Sequence, residues 1–122
     1  MNISGPHRLL VPDYPATSVE VTVSLQGLVV GVGVVYELTI YSSAVDLSVI
    51  ETNDNQPDQE ILSLASAATD GWFFPTVQHH DTDGSAIANE YALGVPVAGS
   101  VTLSLTGAQP GDVVYITIKT TM

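Results

Sequence analysis

Cysteine is missing altogether from this chain of 122 residues. Neither a disulfide framework nor a thiolate metal site can therefore form, and stability must come from packing and assembly. Basic side chains are almost as scarce, because only Arg8 and Lys119 stand against thirteen acidic residues, which leaves a net charge of −11. Such a chain has almost nothing with which to displace counterions from phosphates. We therefore expect neither nucleic acid nor an anionic membrane as a partner.

Long apolar runs are absent as well. The longest, LVVGVGVVY from Leu28 to Tyr36, is interrupted by two glycines. It falls well short of the roughly 18 to 20 residues that a membrane span requires. The N-terminal segment also lacks the apolar core of a secretion signal. The sequence thus predicts neither a transmembrane helix nor an export signal.

Helical periodicity is lacking too, whereas apolar and polar residues alternate repeatedly along the chain. Alternation with a period of two is the pattern of a half-buried β-strand. It is clear in five stretches: Val19–Leu25, Tyr36–Tyr41, Val45–Ile50, Val101–Leu105 and Val113–Ile118. Weaker strand candidates are Glu60–Leu64, Trp72–His79 and Glu90–Val97.

Turn-forming residues separate these stretches. They lie at Asn53–Asp58, Thr69–Gly71, Asp81–Gly84 and Gly107–Asp112. Seven or eight short strands joined by such turns predict an all-β fold, an antiparallel β-sandwich or jelly-roll-like domain. We assign residues 17–122 to this single domain and residues 1–16 to an extended N-terminal arm.

The arm differs from the domain because it contains prolines at positions 6, 12 and 15. Proline lacks the N–H group that a regular ladder needs, and it favours extended backbone. Leu9, Leu10, Val11 and Tyr14 give the arm apolar anchors. We expect these four side chains to contact a partner or a neighbouring subunit, although the arm could also cover its own sandwich.

Unusual side chains are concentrated in the stretch WFFPTVQHHDTDGSA, which begins at Trp72 and contains the only Trp and both Phe. On a strand, Trp72 and Phe74 share one face and Phe73 lies on the other. At least one ring is then exposed unless another chain covers it. We interpret all three as contacts to a subunit or partner.

The turn that follows this aromatic run has two chemical interpretations beside a structural one. His79 and Asp81 share a strand face and could bind a metal, and Asp81 with Asp83 looks like the start of a calcium loop. The further acids of such a loop are missing, and Asp in a tight turn satisfies its own backbone. We predict a structural turn, with no metal and no cofactor, in which Asp81, Asp83 and His79 are only weak metal candidates.

A catalytic site would use His79 or His80 as a general base, oriented by Asp81 or Asp70. On a strand, however, the two imidazoles point to opposite faces. No nucleophile motif accompanies them in the sequence. We therefore predict that the chain is not an enzyme.

A resemblance to a known group covers residues 72–118, WFFPTVQHHDTDGSAIANEYALGVPVAGSVTLSLTGAQPGDVVYITI. This stretch resembles small β-rich proteins encoded among the head genes of tailed bacteriophages. In that group an aromatic-Pro strand, a Q-x-H-D-T-x-G turn and a V-x-G-x-V-x-V strand recur before a C-terminal strand. The resemblance implies a virion structural role without implying any site residue.

The expected function is that of a capsid decoration, or cement, protein on the outer surface of the phage head. Its partner would be the major capsid protein. Cement proteins commonly form symmetric oligomers at lattice axes, so a homotrimer is expected. The alternatives are a tail, fibre or head-fibre component that binds glycans, favoured if Trp72, Tyr91 or Tyr36 lies in a groove, and a metal-dependent enzyme.

Overall fold

The computed structural model describes residues 1–121, and within that range the chain forms nine β-strands and no helix. No segment of this range is thus a helix that could cross a membrane. All strand pairings are antiparallel, which confirms the predicted all-β, antiparallel β-sandwich. The strands are β1 (Asn2–Leu10), β2 (Val19–Glu37), β3 (Val45–Glu51), β4 (Gln59–Ala67), β5 (Gly71–Phe73), β6 (Thr76–His80), β7 (Ala86–Leu93), β8 (Val95–Thr106) and β9 (Val113–Thr121).

Seven of these strands form one sheet in the order β1-β9-β2-β8-β3-β4, with β5 paired to β2. Strands β6 and β7 form a separate hairpin. The first half of β2 pairs with β8 and the second half with β9. Strand β2 therefore contributes to both parts of the sheet.

Strand β2 turns back on itself, and this converts one sheet into two layers. Its two ends reach the same loop between β8 and β9. At the start, Ala108 N donates a hydrogen bond to Thr17 O (3.0 Å). Beyond the end, Thr39 N donates to Asp112 Oδ1 (2.7 Å). One layer thus contains β4, β3, β8 and the first half of β2, and the other contains β5, the second half of β2, β9 and β1.

A glycine and a bulge produce this reversal. Gly27 has a φ of 117°, which glycine adopts without strain. The register with β9 then shifts around Val30, which is the extra residue of a β-bulge. One extra residue reverses which alternate side chains face inward. Val29 is therefore buried before the bulge and Val32 after it.

A single hydrophobic core lies between the two layers, and residues from both belong to the same buried cluster. Burying one such side chain stabilises the fold by about 1.5–3 kcal/mol. The largest fully buried side chains include Leu9, Val11, Val32, Val34, Leu47, Val49, Leu103, Leu105, Ile116 and Ile118.

Four of the five clear strand predictions are confirmed in β2, β3, β8 and β9. The fifth, Tyr36–Tyr41, is wrong beyond Glu37, where β2 ends. A turn follows, in which Ser42 N donates to Thr39 O (3.1 Å). The residues of this turn alternate in polarity as a strand does, so periodicity could not distinguish the two.

The weaker predictions are confirmed in part. Glu60–Leu64 lies within β4. Trp72–His79 is divided between β5 and β6 because Pro75, which cannot donate to a ladder, lies between them. Glu90–Val97 is divided between β7 and β8 at Gly94, whose φ of 86° interrupts the extended backbone.

The N-terminal segment differs from the expected arm, because Asn2–Leu10 is strand β1 and pairs with β9 at the edge of the sheet. Its register shifts between Ser4 and His7, so the missing N–H of Pro6 falls at an irregularity where the ladder does not need it. Assigning Leu9 and Val11 to partner contacts is wrong, since both are buried in the protein's own core.

Candidate functional site

Three connecting segments lie together at one end of the sandwich. They are residues 11–18, 38–44 and 107–112, which follow β1, β2 and β8. We call this the loop end. Backbone hydrogen bonds join the segments: Val11 N donates to Asp112 O (2.9 Å) and Gly111 N donates to Val11 O (3.0 Å). The opposite end contains the fold-back of β2 and the base of the β6–β7 hairpin.

The buried carboxylate of Asp112 organises the loop end. It accepts hydrogen bonds from Thr39 N (2.7 Å), Gln109 N (2.8 Å) and Ser42 Oγ. Burial by itself would raise the pKa of this carboxyl, but the hydrogen bonds from Ser42, Thr39 and Gln109 outweigh burial and hold the pKa below its usual range. The Asp112 side chain thus ties the segment after β2 to the turn before β9.

Large apolar side chains project from this ordered end. Tyr14, Ile40 and Tyr41 are 88%, 92% and 80% exposed, and Leu10 is also exposed. We call these four residues the loop-end patch. Leu10 and Tyr14 were predicted as contact residues, and the structure leaves both accessible. Sequence reasoning missed Ile40 and Tyr41 because it assigned them to a core strand.

Trp72 lies across the outer face of the second layer, where it pairs with Gly33 of β2. A Cβ atom at Gly33 would lie 2.9 Å from the Trp72 ring, and one at Gly31 would lie 3.7 Å from it. The two glycines therefore leave the space that the indole ring occupies. The ammonium of Lys119 lies 4.1 Å from the ring centroid, a cation–π contact.

A groove with a volume of about 560 Å³ runs beside this ring. Most of its lining is apolar, and one carboxylate-bearing and two hydroxyl-bearing side chains are among the lining residues. The residues that define it are Pro6, Val35, Asp70, Trp72, Tyr115 and Thr117.

The three aromatic residues predicted as contacts therefore separate in the structure. Trp72 is 45% exposed and Phe74 is exposed as well. Phe73 is instead partly buried and packs against the core, and its role as a partner contact stays a prediction. The inward position follows from strand alternation, because Phe73 lies between two outward-facing neighbours.

The β6–β7 hairpin extends from the fold-back end of the sandwich. At its base, Gly94 N donates to Pro75 O (2.8 Å). Val77 packs against the core, which fixes one face of the hairpin against the body. Tyr91 and Leu93 are exposed, and they belong to the opposite face because alternate residues of a strand point to opposite sides.

The turn of this hairpin is organised by its own acids, as predicted. Asp81 Oδ1 accepts from Thr82 N (2.9 Å), and Asp83 Oδ1 accepts from Ser85 N (2.9 Å). The hydrogen bonds from Ser85 lower the pKa of the exposed Asp83 carboxyl.

The weak metal candidates Asp81, Asp83 and His79 thus lie on an exposed hairpin. Within residues 1–121, no group of three or more His, Cys, Asp or Glu side chains is placed to hold a metal ion. The two acids that could orient an imidazole accept hydrogen bonds from other groups. Asp81 accepts one within its own turn, and Asp70 accepts one from Tyr36 N (2.8 Å). Both His79 and His80 are exposed.

Comparisons of the chain with protein-family models, with curated proteins and with solved structures find no match. The resemblance over residues 72–118 therefore stays a prediction. The features of the molecule that bear on function are the exposed surfaces at the two ends of the sandwich and the net charge of the chain.

Proposed function

We propose that this protein is a virion structural protein that decorates the outer surface of a tailed-phage head and stabilises it through contacts with the major capsid protein. The observation that carries the proposal is the loop-end patch. Four large apolar side chains project from one end of a small domain with a net charge of −11, where a protein partner would cover them.

The loop-end patch is suited to binding because its backbone is already ordered. The Asp112 carboxylate joins Thr39, Ser42 and Gln109, so Ile40 and Tyr41 lie on a turn with fixed ends. Little conformational entropy is then lost on docking, and the apolar area can contribute to affinity. Fully burying Ile40 would contribute about 1.5–3 kcal/mol.

The net charge of −11 supports a location outside the shell. A protein inside a head would face densely packed phosphates, which repel an acidic surface. Outside the shell the same charge keeps the protein soluble. If three copies assemble at a lattice axis, each contributes one modest contact, and their linkage lengthens the time for which the oligomer stays bound to the shell.

The test adds the purified chain to heads that lack it and measures bound copies by co-sedimentation, with particle stability followed by thermal release of DNA. The triple variant Tyr14→Ser, Ile40→Ser, Tyr41→Ser removes the three most exposed side chains of the loop-end patch without changing the core. We expect it to fold normally and to lose at least about tenfold in affinity, the equivalent of about 1.4 kcal/mol.

The matched control is Tyr91→Ser, Leu93→Ser, which removes exposed apolar residues of the same kinds at the opposite end of the sandwich. Each control copy should still reach the shell, so its occupancy at saturating concentration should stay near that of the wild type. Equal occupancy of the triple variant and the wild type would refute the loop-end patch as the shell contact.

A tail or fibre protein that binds glycans is the second candidate, because Trp72 and Tyr115 line a groove. A sugar stacked on the indole would have to displace the Lys119 ammonium, which already lies over that ring. Tyr36, considered for the same role, packs against the core. Binding on a glycan array that is lost in Trp72→Ala would favour this candidate over head decoration.

A further inference from the structure

Both cationic side chains of the chain lie on the outer face of the second layer. Arg8 is opposite Tyr115 in the β1–β9 ladder, and paired residues project to the same side of a sheet. Tyr115 lines the groove, so Arg8 flanks it along the β1 side. The ammonium of Lys119 lies against Trp72, which also lines the groove.

Two cations beside one apolar groove are notable in a chain with thirteen acidic residues. Asp70 lies in the same groove on the β5 side, two strands away from Arg8, and its carboxylate accepts a hydrogen bond from Tyr36 N (2.8 Å). The groove is therefore suited to an occupant with an apolar body and an acidic end that approaches along the β1 side.

The β6–β7 hairpin of this same protein has those properties. Its outward face carries Tyr91 and Leu93, which are 56% and 78% exposed. Its turn carries Asp81 and Asp83. Strand β6 has five residues, so the hairpin reaches roughly 17 Å from its base. A two-stranded hairpin gains order when another surface covers it.

We propose that the groove of one copy binds the β6–β7 hairpin of a second copy, with Tyr91 and Leu93 against the apolar lining and the acidic turn near Arg8 and Lys119. The hairpin cannot use its own groove in this way, because Val77 holds its other face against its own body.

Charge is the reason for choosing a second copy as the occupant. Two copies that each carry a net charge of −11 repel one another over most of their surfaces. The groove face is the place where the same chain offers Arg8 and Lys119 to an acidic turn. Because two different surfaces meet, the contact is heterologous and closes into a ring or continues as an open chain.

This contact would supply the subunit interface of the oligomer included in the proposed function. It is nevertheless measured on the isolated chain, whereas shell binding is measured on heads and uses the side chains of the loop-end patch. Loss of one activity therefore does not imply loss of the other.

The experiment measures the mass of the isolated protein by native mass spectrometry and analytical ultracentrifugation. The groove variant is R8E/K119E and the turn variant is D81K/D83K. A milder turn variant, D81N/D83N, removes charge but keeps the side-chain oxygens that accept the turn's hydrogen bonds. Circular dichroism of each variant verifies its fold.

We expect the wild type to form an oligomer that dissociates in about 0.5 M salt, where the Debye length falls to roughly 4 Å. The groove and turn variants should each associate at least about tenfold more weakly, because two exposed ion pairs are replaced by repulsion. The variant D81N/D83N should lie between them and the wild type. The control D54K/D58K makes the same change in net charge as the turn variant, on the loop between β3 and β4, and should still form the oligomer.

Mixing provides the most specific result. The groove variant keeps a native hairpin and the turn variant keeps a native groove, so these two surfaces should meet in an equimolar mixture. The lysine-bearing turn of one variant should likewise meet the glutamate-bearing groove of the other, and the mixture should form oligomers that contain both variants. The variant that combines all four substitutions should recover the oligomer, since the charges are exchanged. A monomeric wild type at the same concentration, a mixture without hetero-oligomers, or equal weakening by D54K/D58K would each overturn the proposal.

Discussion

Replacing Asp112 with alanine is expected to destabilise the protein and to release the loop-end patch. The change removes an acceptor that serves Thr39 N, Gln109 N and Ser42 Oγ. Hydrogen bonds to a charged group contribute about 1.5–3 kcal/mol each, but the three donors regain water in part at this end of the sandwich. We therefore expect a loss of about 2–4 kcal/mol in the free energy of unfolding, which urea titration followed by circular dichroism measures.

The conservative variant Asp112→Asn tests the charge separately from the geometry. It keeps one oxygen acceptor and should lose about 1–2 kcal/mol at neutral pH. Because folding lowers the pKa of Asp112, the ionised carboxylate stabilises the fold above the unfolded pKa of about 3.9, and this contribution disappears as pH falls through the lower folded pKa.

The stability difference between the wild type and Asp112→Asn should therefore shrink as the pH is lowered below about 3.9. Other carboxyls titrate equally in both proteins, so the difference isolates this one group. Two results would refute the reasoning: a loss below about 0.5 kcal/mol for Asp112→Ala, or a difference for Asp112→Asn that does not change with pH.

Three further perturbations test the fold. Gly33→Val places side-chain atoms where the Trp72 ring lies, so it should lower the free energy of unfolding by about 1–3 kcal/mol and shift the Trp emission to the red. The control Gly71→Ala should change neither quantity, because a Cβ atom there would lie 3.9 Å from its nearest neighbours. Leu103→Asp buries an unpaired charge in the core and should abolish cooperative unfolding; a stable folded variant would contradict the assigned core. Removing residues 1–11 strips β1 from β9 and should lower the unfolding midpoint in urea, and an unchanged midpoint would mean that this strand adds nothing to stability.

Alternating polarity was sufficient to predict the strands that are buried on one face. Val101–Leu105 and Val113–Ile118 have apolar residues at every second position, and this is the pattern that a layer covered on one side imposes. The same pattern was misleading at Ile40 and Tyr41, because a local period cannot show that the Asp112 carboxylate, about seventy residues later in the chain, fixes a turn there.

The packing of Trp72 on β2 could not be deduced from periodicity, although one signal of it is present in the sequence. The glycines of LVVGVGVVY are two residues apart, which places Gly31 and Gly33 on one face of a strand. That spacing indicates a close approach by another group, but the approaching ring of Trp72 is about forty residues away. Long-range partners of this kind require the fold itself.

The predicted contact residues were also only partly correct, because local sequence does not show which apolar side chains the fold buries. Tyr14 was predicted as a contact because it is an apolar anchor of a proline-rich segment. Trp72 was predicted because strand alternation leaves at least one ring of the aromatic run exposed unless another chain covers it. Leu9 and Val11 share the same apolar character but alternate with exposed Leu10 along the sheet edge. The prolines around them suggested an arm outside the sheet, so that alternation was not interpreted as a strand.

Because a single continuous strand crosses both layers, the two halves of the sandwich cannot separate or slide without stretching covalent backbone at Val30. Fluctuations that open one layer are transmitted to the other through the same peptide chain. The molecule should consequently melt as one cooperative unit, with amides in both halves of β2 equally slow to exchange with deuterium.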